Sequence, residues 1–552
     1  MVKKLLMGNE AIALGALRAG VSLVSGYPGT PSREILETVT KHNDGSVYVE
    51  WSVNEKAALE VGAGAAYAGA RVLVTMKQVG LNVASDPLMS LNYVGVIGGM
   101  VIVVADDPGP ISSQTEQDTR HFAKFAKLAL FDPSTPEEAY LMIADAFAHS
   151  EKYGEPVLFR PTTRVCHSCA SVEILPDLPP KPAAGFTKGE RWVIFPRLSY
   201  TNKFKIEENL LKMSADFSGY KRNILSGAGK KGIAAGGVNY AYTREALANM
   251  DAECKLLKIS TVPFPRKLGL EFLEGLDEAL VVEDLDPVIE DELIRLCGLS
   301  NLKVQIKGKL TGHSQKAGEN TPDTVANAIN AFLGSNQQNS TPNSTALPPH
   351  SQPTQHSTLN TKNSGLPDAR PPSLCAGCSH RASFSAVKNE TKDIPCVYSG
   401  DIGCYTLGNT LGMVDTCLCM GGGITVAQGL QRIEPETLHF AFIGDSTFFH
   451  SGITGIINAV YNQTDIIVVI LDNATTAMTG NQPHPGLGKT MMGKSGAKID
   501  IGKIVSALGI SALYRADPFD GKAARQAVRD AIGQKGVRVI LFESRCIMLE
   551  KK

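Results

Sequence analysis

The sequence predicts an α/β chain built on parallel sheets, and three observations carry that prediction. Short apolar runs recur along it: RVLVTM (71–76), MVIVVADD (100–107), GIAAGG (232–237), ALVVEDLD (279–286), HFAFIGD (439–445), DIIVVILDN (465–473) and VRVILFES (537–544). Segments of helical length separate them, the pattern of strand–helix–strand units and so of parallel pairing. Two runs close on polar pairs, Gly444-Asp445 and Asp472-Asn473, with Asp445 and Asn473 28 residues apart, about one strand–helix–strand unit. That spacing puts both side chains at one end of a sheet, where open α/β folds bind ligands.

In chain order, residues 1–190 hold the runs at 71 and 100 and form a first α/β domain. A connector, 191–224, follows the Pro-rich LPDLPPKPAAGF. Residues 225–334, with GIAAGG and ALVVEDLD, form a smaller α/β domain. Residues 335–372 are polar and rich in Ser, Thr, Asn, Gln and Pro. They cannot bury enough apolar surface to order themselves, so a disordered linker is expected. Residues 373–552 form the last α/β domain.

Charged residues make up 20% of the 552, and the net charge is −1, so neither nucleic acid nor an anionic membrane is an expected partner. The basic start, MVKKLL, leads into an apolar run that Glu10 interrupts, so no signal peptide is read. The longest apolar stretch, YVGVIGGMVIVVA, has 13 residues, too few to span a bilayer. A cytoplasmic location is expected. There, the 11 cysteines point to metal or redox chemistry before disulfides.

A strand ending in Gly444-Asp445-Ser446 and running into a helix offers backbone N–H groups to a phosphate. Asp445 supplies a hard oxygen for Mg²⁺, Asn473 a second, and the carbonyl of Thr475 a third, so a Mg²⁺-bridged diphosphate is the fitting guest. The bland alternative is a helix cap and a turn. Cys375 and Cys378 form a C-x2-C pair, with 25 residues between Cys378 and Cys404. Spacing alone leaves zinc and an iron–sulfur cluster both open.

Cys166 and Cys169 form another C-x2-C with no second pair, and are read as chance or as a reactive surface pair. Cys417 and Cys419 read as packing residues. GAGKKG (227–232) fits a dinucleotide glycine pattern but precedes its strand, so it fails its own context.

Together, residues 50–88, SSQTEQD (112–118), CAGCSHR (375–381), DIGCYTLG (401–408) and 444–486 resemble the 2-oxoacid:ferredoxin oxidoreductases, specifically the large (alpha) subunits of the indolepyruvate branch. The resemblance covers essentially the whole chain except the linker. It implies a thiamine-diphosphate-binding fold with a pyrimidine domain (1–190), a transketolase-C-like domain (225–334) and a diphosphate domain (373–552). GDS then stands for the family's Gly-Asp-Gly, with Ser446 in place of the second glycine.

Further roles follow from the resemblance alone. Glu55 matches the glutamate that shares a proton with the aminopyrimidine ring of thiamine. Thr30 matches a threonine that contacts the 2-oxoacid carboxylate. Cys546, after VRVILFES, matches the last ligand of one [4Fe–4S] cluster, completing Cys375, Cys378 and Cys404, although Arg545 stands where proline is usual. The implied reaction is oxidative decarboxylation of an arylpyruvate to its acyl-CoA, with electrons passing singly to the cluster. A non-redox decarboxylase or carboligase would share Glu55, Asp445 and Asn473 but need no cluster. Gln78 and Ile111 depart from residues, including histidine, of the indolepyruvate enzymes, in loops expected to face thiamine, so the exact 2-oxoacid stays open.

The family's large subunit normally continues into a ferredoxin-like domain with two C-x2-C-x2-C-x3-C-P runs. This sequence contains neither, so onward transfer is expected through ferredoxin or a cluster-bearing partner. The family also implies a small (beta) subunit in an α2β2 complex, with coenzyme A as co-substrate.

Overall fold

The computed structural model describes residues 2–250, 252–334 and 373–550, and the expected linker 335–372 lies outside them. Three main sheets organise the chain. The first has seven strands in the order Thr261–Val262, Ala129–Phe131, Val157–Phe159, Met100–Ala105, Val72–Lys77, Leu23–Gly26 and Tyr48–Trp51. All its pairs are parallel except the first, where Thr261–Val262 runs antiparallel to Ala129–Phe131. Val101, Ile102, Val103 and Val104 are wholly buried, as a parallel strand covered on both faces requires. The edge strand Thr261–Val262 comes from beyond residue 225, so the two regions share a sheet.

The second sheet has five strands, with only the edge strand Ile224–Ser226 antiparallel to its neighbour. The third is wholly parallel, in the order Cys396–Ser399, Leu438–Gly444, Ile466–Asp472, Val537–Glu543 and Ala512–Ala516. Separate apolar cores cover its two faces. The predicted runs fall on strands, most displaced by a residue at their ends, while 100–107 and 279–286 run two and four residues past strands Met100–Ala105 and Glu278–Val282.

The expected connector is structured. It forms a 23-residue helix, Pro196–Ser218, whose Met213 and Phe217 enter the core of the first sheet. Just before it, the Cys417 N–H donates to the Trp192 carbonyl at 2.8 Å, and the Ile194 N–H to the Cys417 carbonyl at 3.0 Å. This segment therefore straps the first sheet to the third.

The tightest junction is between helices Glu55–Tyr67 and Gly422–Ile433. Asn54 starts the first by accepting the Ala57 N–H at 2.8 Å. Its sequence, EKAALEVGAGAAY, keeps one face small. A Cβ on Gly64 would stand 2.2 Å from the Val426 carbonyl oxygen, and one on Gly429 would stand 1.9 Å from that of Val61. Only glycine lets the two backbones approach this closely. Among the described residues, no helix is long and apolar enough to cross a membrane.

Candidate functional site

Strands Leu438–Gly444 and Ile466–Asp472 pair with Gly444 opposite Leu471, so their C-terminal ends coincide. This brings Asp445 and Asn473 together. Asp445 is buried at the start of a helical segment. Its Oδ1 accepts the Ser446 N–H at 2.8 Å, and its Oδ2 accepts the Thr475 N–H at 3.3 Å and contacts His484 Nε2 at 3.0 Å. Asn473 Oδ1 accepts the Thr475 N–H at 3.2 Å. Ser446 Oγ accepts the Thr476 hydroxyl at 2.9 Å. Burial, then the Asp445 carboxylate, pushes the Asp472 carboxyl up to about 6. A small cavity of about 110 Å³ opens here, lined among others by Asp445, Ser446, Asn473, Thr475, His380 and Cys404.

The four expected cysteine ligands converge on the same corner. Burial first, then Cys378, Cys546, Cys375 and Asp445, push the Cys404 thiol up to about 11. Cys378 is likewise raised by burial, with Cys375 and Cys546 adding to it. Cys546 donates its backbone N–H to the Asn473 carbonyl at 2.9 Å. No three of the four sulfurs lie mutually within 4.8 Å. Arg545 is exposed and leaves the backbone path to Cys546 intact.

Several polar residues that frame this corner escaped the sequence reading. Asp401 is buried, accepts the Gly421 N–H at 2.8 Å and the Tyr405 hydroxyl, and burial pushes its carboxyl up to about 8. The Tyr405 oxygen in turn accepts the Thr447 hydroxyl at 3.1 Å. His380 faces Asn473, with Nε2 at 3.2 Å from Nδ2, and burial holds its pKa down near 4. His380 lies inside CAGCSHR and His484 inside the stretch 444–486, both noted above, and histidine within such a stretch was the available signal.

Glu55 is buried at the first turn of helix Glu55–Tyr67. It lies against Gly80, where a Cβ would stand 2.5 Å from its Oε1. One turn on, Glu60 accepts the Thr425 hydroxyl at 2.5 Å and the Cys419 thiol at 3.0 Å, and pairs with Lys56 at 2.8 Å. Lys56 in turn reaches Asp86 at 2.6 Å and Cys419 Sγ at 3.2 Å. Cys419 is therefore a polar link between domains, while Cys417 packs in a core as expected. Cys166 is buried and only Cys169 is exposed, so they are not a surface pair.

Thr30 is exposed, its carbonyl accepting the Ser112 hydroxyl at 3.3 Å. Gln78 is buried, donating to the Thr115 carbonyl at 2.5 Å, and Ile111 is exposed. The structure thus gathers Gly444, Asp445, Ser446, Asn473, Thr475 and the cysteines at one corner. Glu55 and Thr30 lie outside the lining of that cavity.

Comparison with known proteins bears on this arrangement. Residues 14–189 match the family model described as pyruvate flavodoxin/ferredoxin oxidoreductase, thiamine diphosphate-binding. Residues 401–542 match the thiamine pyrophosphate enzyme C-terminal TPP-binding domain. The chain is 39% identical to indolepyruvate oxidoreductase subunit IorA of Methanothermobacter thermautotrophicus, over 99% of this chain and 87% of that one. It is 38% identical to the IorA subunits of Pyrococcus horikoshii (99% of this chain, 86% of that one) and Archaeoglobus fulgidus (99% and 87%).

Proposed function

Because this chain belongs to the 2-oxoacid:ferredoxin oxidoreductase family, as a large subunit of its indolepyruvate branch, we propose that it oxidatively decarboxylates an aryl 2-oxoacid such as indolepyruvate to its acyl-CoA and CO₂, passing electrons through a [4Fe–4S] cluster. One observation carries the reading. The cysteine corner and the Asp445/Asn473 corner are the same place, joined by the Cys546 N–H to Asn473 carbonyl bond at 2.9 Å. A decarboxylase without electron transfer has no use for that adjacency.

The residues present fit a magnesium diphosphate. Asp445 and Asn473 offer hard oxygens at the end of a parallel sheet, and Asp472 and Asp445 crowd each other in a way a divalent cation would relieve. His380 Nδ1, buried and without a partner, awaits an acceptor. In this reading Asp445, Asn473 and the Thr475 carbonyl hold Mg²⁺, and Gly444 and Ser446 lie against the diphosphate. When bound, thiamine diphosphate supplies the carbon centre at which the 2-oxoacid loses CO₂. Glu55, walled in by Gly80, holds the proton that the aminopyrimidine ring shares. Thr30 meets the substrate carboxylate.

Cys375, Cys378, Cys404 and Cys546 hold the cluster. Four thiolates could hold zinc or a cluster, and the family to which the chain belongs favours the cluster. The relatives' names describe subunits, which supports a partner subunit, and in this reading it is a small subunit in an α2β2 assembly. Ferredoxin or a cluster-bearing partner then takes the electrons, and coenzyme A takes the acyl group.

The test is anaerobic purification followed by iron assay and visible spectroscopy. A brown protein with about four irons per chain is expected, its absorption bleaching when thiamine diphosphate and an arylpyruvate are added. Comparing indolepyruvate, phenylpyruvate and pyruvate fixes the preference. A colourless chain that still releases CO₂ would overturn the reading in favour of a non-redox decarboxylase or carboligase.

A further inference from the structure

We infer that His380 is a dedicated diphosphate-positioning residue, accepting from Asn473 through Nε2 and presenting its Nδ1–H to a phosphoryl oxygen of bound thiamine diphosphate. The inference rests on the proposed magnesium diphosphate site.

The assignment follows from a chain of hydrogen bonds. Asn473 Oδ1 accepts the Thr475 N–H at 3.2 Å, so the carbonyl side of the amide faces that backbone. The amide nitrogen therefore faces the imidazole, at 3.2 Å from His380 Nε2. An NH₂ group only donates, so Nε2 must be bare and accept. The ring proton then sits on Nδ1. That atom is buried and has no hydrogen-bond partner. His380 itself is only 4% exposed. Its ring stands edge-on to Tyr405, centroids 5.9 Å apart, so it cannot easily turn to relieve the missing bond. A buried N–H without an acceptor is costly and calls for a partner. His380 lines the same cavity as Asp445, Ser446 and Thr475, where an anionic acceptor would sit.

The same ring thus has two duties. Its bare nitrogen keeps the Asn473 oxygen turned toward the proposed metal, and its N–H addresses the diphosphate. Two substitutions separate them. Asparagine places an amide nitrogen near the Nδ1 position, while glutamine reaches the Nε2 position with an acceptor oxygen but leaves no donor at Nδ1.

The experiment is calorimetric titration of wild type, His380→Asn and His380→Gln with thiamine diphosphate at saturating Mg²⁺, then with Mg²⁺ at saturating thiamine diphosphate. Variants are compared at equal iron content and equal thermal midpoint. With the donor gone, His380→Gln should bind thiamine diphosphate about 10- to 100-fold more weakly while keeping its Mg²⁺ requirement. His380→Asn should bind it within about threefold of wild type but need several-fold more Mg²⁺. Equal loss in both variants, no loss in either, or the reverse order would overturn the inference, because a merely space-filling histidine predicts no such crossover. A wild-type chain that binds no thiamine diphosphate with Mg²⁺ would sink the underlying site, and the inference with it.

Discussion

Gly429 offers the sharpest test of how the first and last domains are held together. A Cβ at this position would stand 1.9 Å from the Val61 carbonyl oxygen and 2.9 Å from the Ala65 nitrogen, both rigid helix backbone. Ordinary contact begins at 3.4 Å, so Gly429→Ala forces helices Glu55–Tyr67 and Gly422–Ile433 apart by about 1.5 Å, in an interior with no slack. Overpacking of this kind costs about 1–3 kcal/mol. The separation also stretches the Glu60 bonds to Thr425 and Cys419, now 2.5 and 3.0 Å, each worth about 1–2 kcal/mol. Together these terms reach about 3–7 kcal/mol, an upper bound that partial relaxation of the helices lowers. Activity should suffer more than stability, since Glu55 and Asp445 sit on opposite sides of the junction and a shift near 1 Å costs about 100-fold in rate. The control is Gly298→Ala in helix Val288–Ser300, where an added Cβ meets nothing within 4 Å. That change should be neutral or stabilising by up to about 1 kcal/mol. The assays are urea unfolding and dye-linked oxidation of an arylpyruvate. Full activity in Gly429→Ala would refute the claim that this helix contact sets the geometry of the site.

Three more outcomes are expected. Asp445→Ala should abolish Mg²⁺-dependent thiamine diphosphate binding with the fold intact, and unchanged affinity by calorimetry would remove Asp445 from the site. Glu55→Gln should still bind thiamine diphosphate but lose proton–deuterium exchange at the thiazolium C2; exchange at the wild-type rate would contradict the proton-sharing role. His149, buried and stacked on Phe217 at 4.8 Å, has its pKa lowered to about 4, by burial first. The unfolded chain takes up this proton near pH 6.5 and the native one only near 4. Its contribution is therefore complete above pH 6.5 and is lost as the pH falls toward 4, a change of about 3 kcal/mol. His149→Phe should flatten the dependence of the urea midpoint between pH 7.5 and pH 5, by roughly the part of that change falling in this window.

The strands were legible because burial on both faces of a parallel sheet writes a continuous apolar run, as in HFAFIG and IIVVIL, that needs no partner to be seen. The pairing of Asp445 with Asn473 was equally local. One strand–helix–strand unit joins them, so their separation along the chain fixes which end of the sheet they share. The cysteine types announced soft-ligand chemistry, and similarity of motif, not spacing, attached Cys546 to Cys375, Cys378 and Cys404.

What remained hidden depends on how separate sheets pack, and packing between distant segments leaves no period in the sequence. Thr261–Val262, two residues long, joins the first sheet only because the Ala129–Phe131 edge is open to it. Trp192–Ile194 read as linker because its bonding partner, Cys417, lies over two hundred residues away. Cys419 looked apolar until Glu60 and Lys56 arrived from the other domain. His380 was one more polar residue after a cysteine pair until the fold set it against Asn473 and sealed it from water. Local pattern determined which apolar segments would be strands and that Asp445 and Asn473 would follow the ends of two of them. The tertiary structure alone decided that these residues meet at one corner, because only the closing of the fold brings residues 375, 404, 445, 473 and 546 together.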